Sequence, residues 1–299
     1  MRIGLHDAVY ERMADKSFPN LALMKISAYY KNLGHQVEWW VKDKSYDKVY
    51  SSKVFEFTPV NKNLPENTIK GGTGYGLYDE LPEEIDRCYP DYSLYPLCDY
   101  AVGFLTRGCI NNCSYCVVPG KEGKIRPYAD WRDVVRNSFD KLVLMDNNIL
   151  SCEYGIRQLK ELSETNYKID LNQGMDIMLL NDKVCEIIKK MKWIKYIRFS
   201  CDKAYQLPYF ENLVKLFNKH KIAKSRVFIY VLVQKDLEDA DNRIQELYRI
   251  CRSFNLYAQA ERNKGTEPDK LQLEFAQRYV YGRCYKKENF ESYCKRHSL

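Results

Sequence analysis

The 299-residue sequence has no cysteine before Cys88 and no apolar run long enough to cross a bilayer. Its longest apolar runs, such as Val227 to Val233, are far shorter than a span requires. Internal repeats and low-complexity tracts are absent. Residues 1–16 place His6, Asp7 and Glu11 where a secretory signal needs an unbroken apolar core, so the expected location is cytoplasmic, with no membrane partner. The glycine-rich stretch from Ile69 to Gly76 is not followed by Gly-Lys-Ser/Thr, which excludes a phosphate-binding P-loop. It reads as a loop.

What is present is globular in proportion: 45% hydrophobic and 29% charged residues, which excludes disorder, collagen and coiled coil. The formal net charge is +7, and the basic excess lies beyond residue 98. Such an excess permits an anionic partner without requiring one. Eleven cysteines in a chain of this kind read as buried thiols, catalysts or metal ligands rather than disulfides.

Periodicity divides the chain. A strand at Arg2 to Ala8, a helix at Leu21 to Leu33 ended by Gly34, a strand at Val37 to Val41 and another within Lys48 to Phe57 form a βαβ pattern. The stretch from Asp15 to Asn20 reads as the loop that opens the helix. A proline-punctuated connector runs to Pro96, and the domain boundary is placed near residue 97. Beyond it, β-like runs recur at Tyr100–Leu105, Leu142–Met145, Lys168–Leu171, Tyr196–Ser200, Val227–Val233 and Leu256–Ala260. Helical patterns separate them at Trp131–Phe139, Tyr154–Glu164, Asp182–Met191, Tyr209–His220 and Ala240–Phe254. The expected fold class is α/β: a partial (β/α)6 barrel of the TIM type preceded by a small Rossmann-like βαβ domain. The expected domains are 1–97, 98–265 and a basic helical extension, 266–299. In such folds chemistry gathers at the C-terminal ends of the strands.

After the first of the later strands comes Cys109-Ile-Asn-Asn-Cys113-Ser-Tyr-Cys116, a C-x3-C-x2-C spacing. Three thiolates within eight residues can converge on one metal centre. Zinc loops usually pair two C-x2-C units, and neither a second unit nor H-x3–5-H occurs. Three cysteines on one loop suit a cubane cluster with one iron free of protein ligands. Structural thiols or a zinc loop are the other reading.

These cysteines, at the end of a barrel strand and with Tyr115 before the last, resemble the signature of the radical S-adenosylmethionine superfamily. The resemblance covers about two-thirds of the chain. It implies that Cys109, Cys113 and Cys116 hold a 4Fe–4S cluster whose fourth iron is chelated by S-adenosylmethionine. Reductive cleavage then yields a 5′-deoxyadenosyl radical that abstracts hydrogen from a substrate. A reductant such as flavodoxin or ferredoxin is implied as a partner. Candidate contacts to S-adenosylmethionine are Tyr115, the acceptors Asp146, Asn147 and Asn148, the strand tip Asn172 and Gln173, and the set Arg198, Ser200 and Asp202. Strand alternation puts Arg198, Ser200 and Asp202 on one face. Arg198 is suited to pair bidentately with the ligand carboxylate. Gln259 and Glu261 are candidates for the substrate side. No catalytic residue is assigned.

The N-terminal βαβ unit resembles the cobalamin-binding domain that precedes some members of this superfamily. It is short and lacks Asp-x-His-x-x-Gly, so the expectation is a degenerate domain that holds no cobalamin. The resemblance to the superfamily's methylthiotransferases is confined to the central domain. Arg278 to Leu299 interleaves six basic residues with aromatics, a composition shared by nucleic-acid stacking surfaces and by a helix that caps a barrel. The substrate is open among nucleic acid, peptide and metabolite. The alternative function is a non-catalytic nucleic-acid-binding protein stabilised by zinc or an iron–sulfur cluster.

Overall fold

The computed structural model describes residues 1–10, 18–262 and 267–299. The opening loop from Asp15 and the expected boundary at residue 265 therefore lie partly outside the described residues. The chain forms two compact units, Met1–Gly103 with Arg132–Phe139, and Phe104–Trp131 with Asp140–Leu299.

In the first unit, β1 (Arg2–Asp7), β2 (Gln36–Trp39), β3 (Lys48–Ser52) and β4 (Ile69–Gly71) make a parallel sheet in the order β2-β1-β3-β4. Helix α1 (Leu21–Asn32) connects β1 to β2. It starts where the Asn20 side chain accepts from the Leu23 N–H, and it buries Leu23, Met24, Ile26 and Tyr30 at helical spacing. Gly34 follows it with φ +76°, as the sequence predicts. The short β5 (Ala101–Gly103) also belongs to this unit.

Two local expectations change. Ile69–Gly71, expected as loop, is strand β4, because these residues pair in register with Tyr50–Ser52 of β3. The glycines serve close packing: a Cβ on Gly72 (φ +100°) would stand 2.6 Å from the Lys53 carbonyl oxygen. The helix expected at Trp131–Phe139 ends at Val134. Beyond it the chain turns so that Arg136 donates to the Cys98 carbonyl at 2.7 Å and lies over the rings of Tyr92 and Phe139.

The second unit begins with β6 (Thr106–Arg107), which pairs antiparallel with β7 (Arg126–Pro127). This ribbon brackets the cysteine loop. Parallel strands follow: β8 (Lys141–Leu144), β9 (Lys168–Leu171) and β10 (Lys192–Trp193) in one run, and β11 (Ile197–Ser200), β12 (Val227–Val233) and β13 (Asn255–Ala260) in another. Helices α2 (Glu153–Ser163), α3 (Asp182–Lys190), α4 (Leu207–His220) and α5 (Leu237–Ile250) alternate with them. The α/β class with parallel sheets is as expected; a closed barrel is not found among the described residues. The two-residue β10 occupies the edge of β9, so β9 and β11 meet through one bridge, Met175 to Phe199, with the Met175 N–H donating to the Arg198 carbonyl at 2.8 Å.

Alternation explains the core. On β12, Val227, Ile229, Val231 and Val233 are fully buried, while Phe228, Tyr230 and Leu232 face the other way and are half-buried. The α4 stripe Phe210, Leu213 and Phe217 and the α5 stripe Ala240, Ile244 and Leu247 are fully buried. Each large side chain so buried contributes roughly 1.5–3 kcal/mol. The C-terminal aromatics Phe275, Tyr279, Tyr285, Phe290 and Tyr293 are interior, and Tyr281 is exposed. Asp241 of α5 fastens them, accepting from the Tyr279 hydroxyl at 2.7 Å and the Phe290 N–H at 2.8 Å. Among the described residues no helix is long and apolar enough to cross a membrane.

Candidate cofactor site

The cysteine loop is fixed at its base by two carboxylates. Asp146, just past β8, is fully buried and accepts from the backbone N–H of Leu105 at 3.1 Å and of Thr106 at 2.5 Å, and from the Thr106 hydroxyl at 2.7 Å. Burial raises its pKa to about 6 against the lowering effect of those hydrogen bonds. The sequence suggests Asp146 as a ligand acceptor. Its oxygens are instead committed to the chain entering the cysteine loop. Glu122 is the second carboxylate. It pairs with Arg107 at 2.9 Å and accepts from the Gly108 N–H and the Asn147 amide, both at 2.9 Å. Arg107 in turn stacks over Phe104, 4.1 Å from the ring centroid. Gly108 has φ +84°, and a Cβ there would stand 2.3 Å from the Lys124 carbonyl oxygen, so only glycine fits this closure. The Cys109 N–H completes it by donating to the Gly123 carbonyl at 3.2 Å.

Two of the three sulfurs have N–H donors aimed at them. Cys109 Sγ accepts from the Asn111 N–H at 3.3 Å and from the Asn148 amide at 3.5 Å. Cys116 Sγ accepts from the Val118 N–H at 3.5 Å. Desolvation raises the Cys116 pKa, and the neighbouring Cys113 and Cys109 raise it further. Among the described residues no three His, Cys, Asp or Glu side chains stand together as a preformed metal site. A thiol set with N–H···S donors nevertheless fits the chemistry of a cluster held by cysteines.

Asn148 lies beside this loop. It is 2% exposed, its amide nitrogen is 3.4 Å from Asp176, and its Oδ1 is buried without a partner. A buried acceptor left empty favours a ligand donor. Asp176 also accepts from the Asn111 side chain at 2.9 Å, joining the loop to the chain after β9.

The tip of β11 closes the other side. The Tyr115 hydroxyl donates to Asp202 at 3.1 Å. Burial raises the pKa of Asp202, with hydrogen bonds from Tyr115 and Ser200 opposing it. The Tyr115 phenol is held well above its ordinary range by burial and by the charge of Asp202. Gln206 Oε1 fixes the turn, accepting from the N–H of Asp202 at 2.7 Å and of Lys203 at 3.0 Å. Asn172 is half-buried and Gln173 exposed, and neither side chain joins this network.

Arg198 has protein partners. Its guanidinium pairs bidentately with Asp170, at 2.7 and 2.8 Å, and donates to the Tyr230 hydroxyl at 3.0 Å. Asp170 lies on β9. Two further anchors carry little sequence signal. Glu122 sits in an irregular loop. Arg243 stands within the apolar stripe of α5, 1% exposed, donating to the carbonyls of Cys201 at 2.7 Å and Leu232 at 2.9 Å. An arginine at a core position of a helix is the clue that was available.

No family model matches the chain. The chain is similar to one curated protein over 124 residues, at 27% identity: the tRNA-2-methylthio-N(6)-dimethylallyladenosine synthase of Aquifex aeolicus (strain VF5). The match covers 38% of this chain and 28% of that protein, so the chain spans little more than a quarter of its relative's length. This distant similarity supports the superfamily that the cysteine loop resembles.

Proposed function

We propose that the chain is a radical S-adenosylmethionine enzyme that acts by hydrogen abstraction. The observation that carries this reading is the C-x3-C-x2-C loop, with the Cys109 and Cys116 sulfurs met by N–H donors and the unfilled acceptor of Asn148 beside it. On this reading Cys109, Cys113 and Cys116 hold a 4Fe–4S cluster. When bound, the cluster and S-adenosylmethionine supply a 5′-deoxyadenosyl radical by reductive cleavage. A flavodoxin or ferredoxin supplies the electron.

The chain's own residues bind and orient. Asn148 Oδ1 is the acceptor suited to the ammonium of S-adenosylmethionine. Ser200 and Asp202 are suited to its ribose hydroxyls, with Asp202 held in place by Tyr115. Glu122 and Asp146 keep the loop closed, and Asn147 is assigned to that closure rather than to the ligand. The parallel strands β8, β9, β11, β12 and β13, with the short β5 before them, are read as the partial (β/α)6 barrel, within 98–265. Residues 1–97 are read as a degenerate cobalamin-binding-like domain, and 266–299 as the C-terminal extension. The relative's name contains tRNA, and a nucleic-acid substrate agrees with the basic excess beyond residue 98.

Anaerobic reconstitution with iron and sulfide tests the reading. The wild type is expected to bind about four irons and four sulfides, with broad visible absorption that bleaches in air. Cys116→Ala is expected to lose most of both. Purified protein that holds zinc and takes up no iron would replace this reading with the binding-protein alternative.

A further inference from the structure

Lys53 directly follows β3 in the first unit and is 6% exposed, yet among the described residues its ammonium has no hydrogen-bond or ion-pair partner. What it meets is the Tyr75 ring, centred 5.6 Å away. The unit's other buried lysine is different: Lys25 pairs with Asp86 at 2.8 Å. A buried ammonium costs free energy unless an acceptor or an anion meets it, and an aromatic face offsets part of that cost.

The fold fixes the lysine in this position. A Cβ on Gly74 would stand 2.6 Å from Lys53 Cγ and 2.7 Å from the carbonyl oxygens of Lys53 and Phe55, so only glycine fits against the stem. The Gly74 N–H donates to the Lys53 carbonyl at 2.8 Å. Tyr75 is oriented by its hydroxyl, which shares a hydrogen bond with Ser51 Oγ at 2.7 Å, and Ser51 Oγ is 2.8 Å from His6 Nδ1. This buried chain links the C-terminal ends of β1 and β3 to the turn after β4. Because β1 lies between β2 and β3, the connections leave it in opposite directions. The crevice outside such strand ends is where open parallel sheets take their ligands.

Three observations give the chemistry of that ligand. Lys70 of β4 lies 5.8 Å from the centre of the same Tyr75 ring and also holds no carboxylate, so two ammonium groups share one ring without a counter-charge. Phe55 and Phe57, close after Lys53, are exposed and stacked on each other with centroids 5.1 Å apart. Cations select phosphate, and open aromatic faces take a base. Residues 1–98 as a whole carry 12 basic and 14 acidic residues, a balance that suits a ligand of nucleotide size better than a long polyanion.

We propose that the first unit binds a nucleoside phosphate, with its phosphates on Lys53 and Lys70 and its base against Phe55 and Phe57. This site lies in a different unit from the cysteine loop and does not rest on the enzymatic reading above.

Calorimetry on the full chain tests it, with the four ribonucleoside triphosphates, inorganic pyrophosphate and a single-stranded oligonucleotide as probes. The wild type is expected to bind at least one triphosphate, and pyrophosphate more weakly. Lys53→Met keeps the stem and removes the charge. It is expected to weaken both roughly 10- to 100-fold, as the loss of a charge-assisted hydrogen bond does. The ligand-free variant is expected to melt no lower than the wild type, because an unpartnered buried charge has been removed. Replacing Phe55 and Phe57 together by Ala is expected to weaken the triphosphate and leave pyrophosphate unchanged. Equal affinities in the wild type and Lys53→Met, or no binding of any triphosphate by the wild type, would overturn the proposal. An oligonucleotide that binds through Lys53 where no triphosphate does would replace it with a nucleic-acid surface.

Discussion

The Tyr115 hydroxyl donates to the Asp202 carboxylate at 3.1 Å, across a sequence separation of 87 residues. This contact joins the cysteine loop to the tip of β11. The two candidate halves of the site, the thiols and the strand-end acceptors, are therefore one hydrogen-bonded assembly rather than neighbours by chance. Asp202 is largely buried, and without the phenol it keeps the side-chain hydrogen bond from Ser200. Tyr115→Phe is expected to cost about 1 kcal/mol of stability, the net worth of such a bond. Urea denaturation of the two proteins checks it, and equal midpoints would show the bond to be idle.

The alternation of strands and helices is legible because its cause is local. Val227–Val233 alternates between a buried and a half-buried face, and the pattern needs no knowledge of neighbours. The cysteine spacing is equally local. What escapes the sequence is lateral. Periodicity puts Arg198, Ser200 and Asp202 on one face but does not say that β9 sets Asp170 against Arg198. Likewise, nothing in the loop residues announces that Glu122 gathers Arg107, Gly108 and Asn147. The short β10 at the edge of β9 also has no periodic signal, being two residues long.

Glu122 gives a sharper stability prediction. Its removal leaves Arg107, largely buried, without its carboxylate and frees the Gly108 N–H. Glu122→Ala is expected to destabilise the fold by about 3 kcal/mol, the usual cost of breaking a buried pair from one side. Chemical denaturation measures this directly, and a loss below about 0.5 kcal/mol, typical of surface substitutions, would contradict the assigned role.

The Arg198–Asp170 pair predicts non-additivity. Each single substitution, Arg198→Leu or Asp170→Leu, strands a charge. The double substitution strands none and is expected to be less destabilised than the sum by at least 1 kcal/mol, roughly the coupling of contacting residues. Additive losses would mean that the two side chains do not depend on each other.

Asp146 predicts a pH dependence. Burial lifts its pKa to about 6, above the ordinary 3.8. Between those values the native state holds a proton that the unfolded chain releases, so the contribution of Asp146 to stability falls as pH rises through that window. The shift corresponds to about 3 kcal/mol. Asp146→Asn has no such titration. The stability of the wild type minus that of Asp146→Asn should therefore drop by about this amount from about pH 4 to about pH 7. A difference that is flat or rises with pH would count against it.

Release of 5′-deoxyadenosine tests the central claim most directly. The protein is reconstituted without oxygen, given S-adenosylmethionine and dithionite, and the product is quantified by mass spectrometry. The account predicts release from the wild type and none from Cys109→Ala, Cys113→Ala or Cys116→Ala. Release that persists in all three variants, or its absence from wild-type protein carrying an intact cluster and bound S-adenosylmethionine, would contradict it.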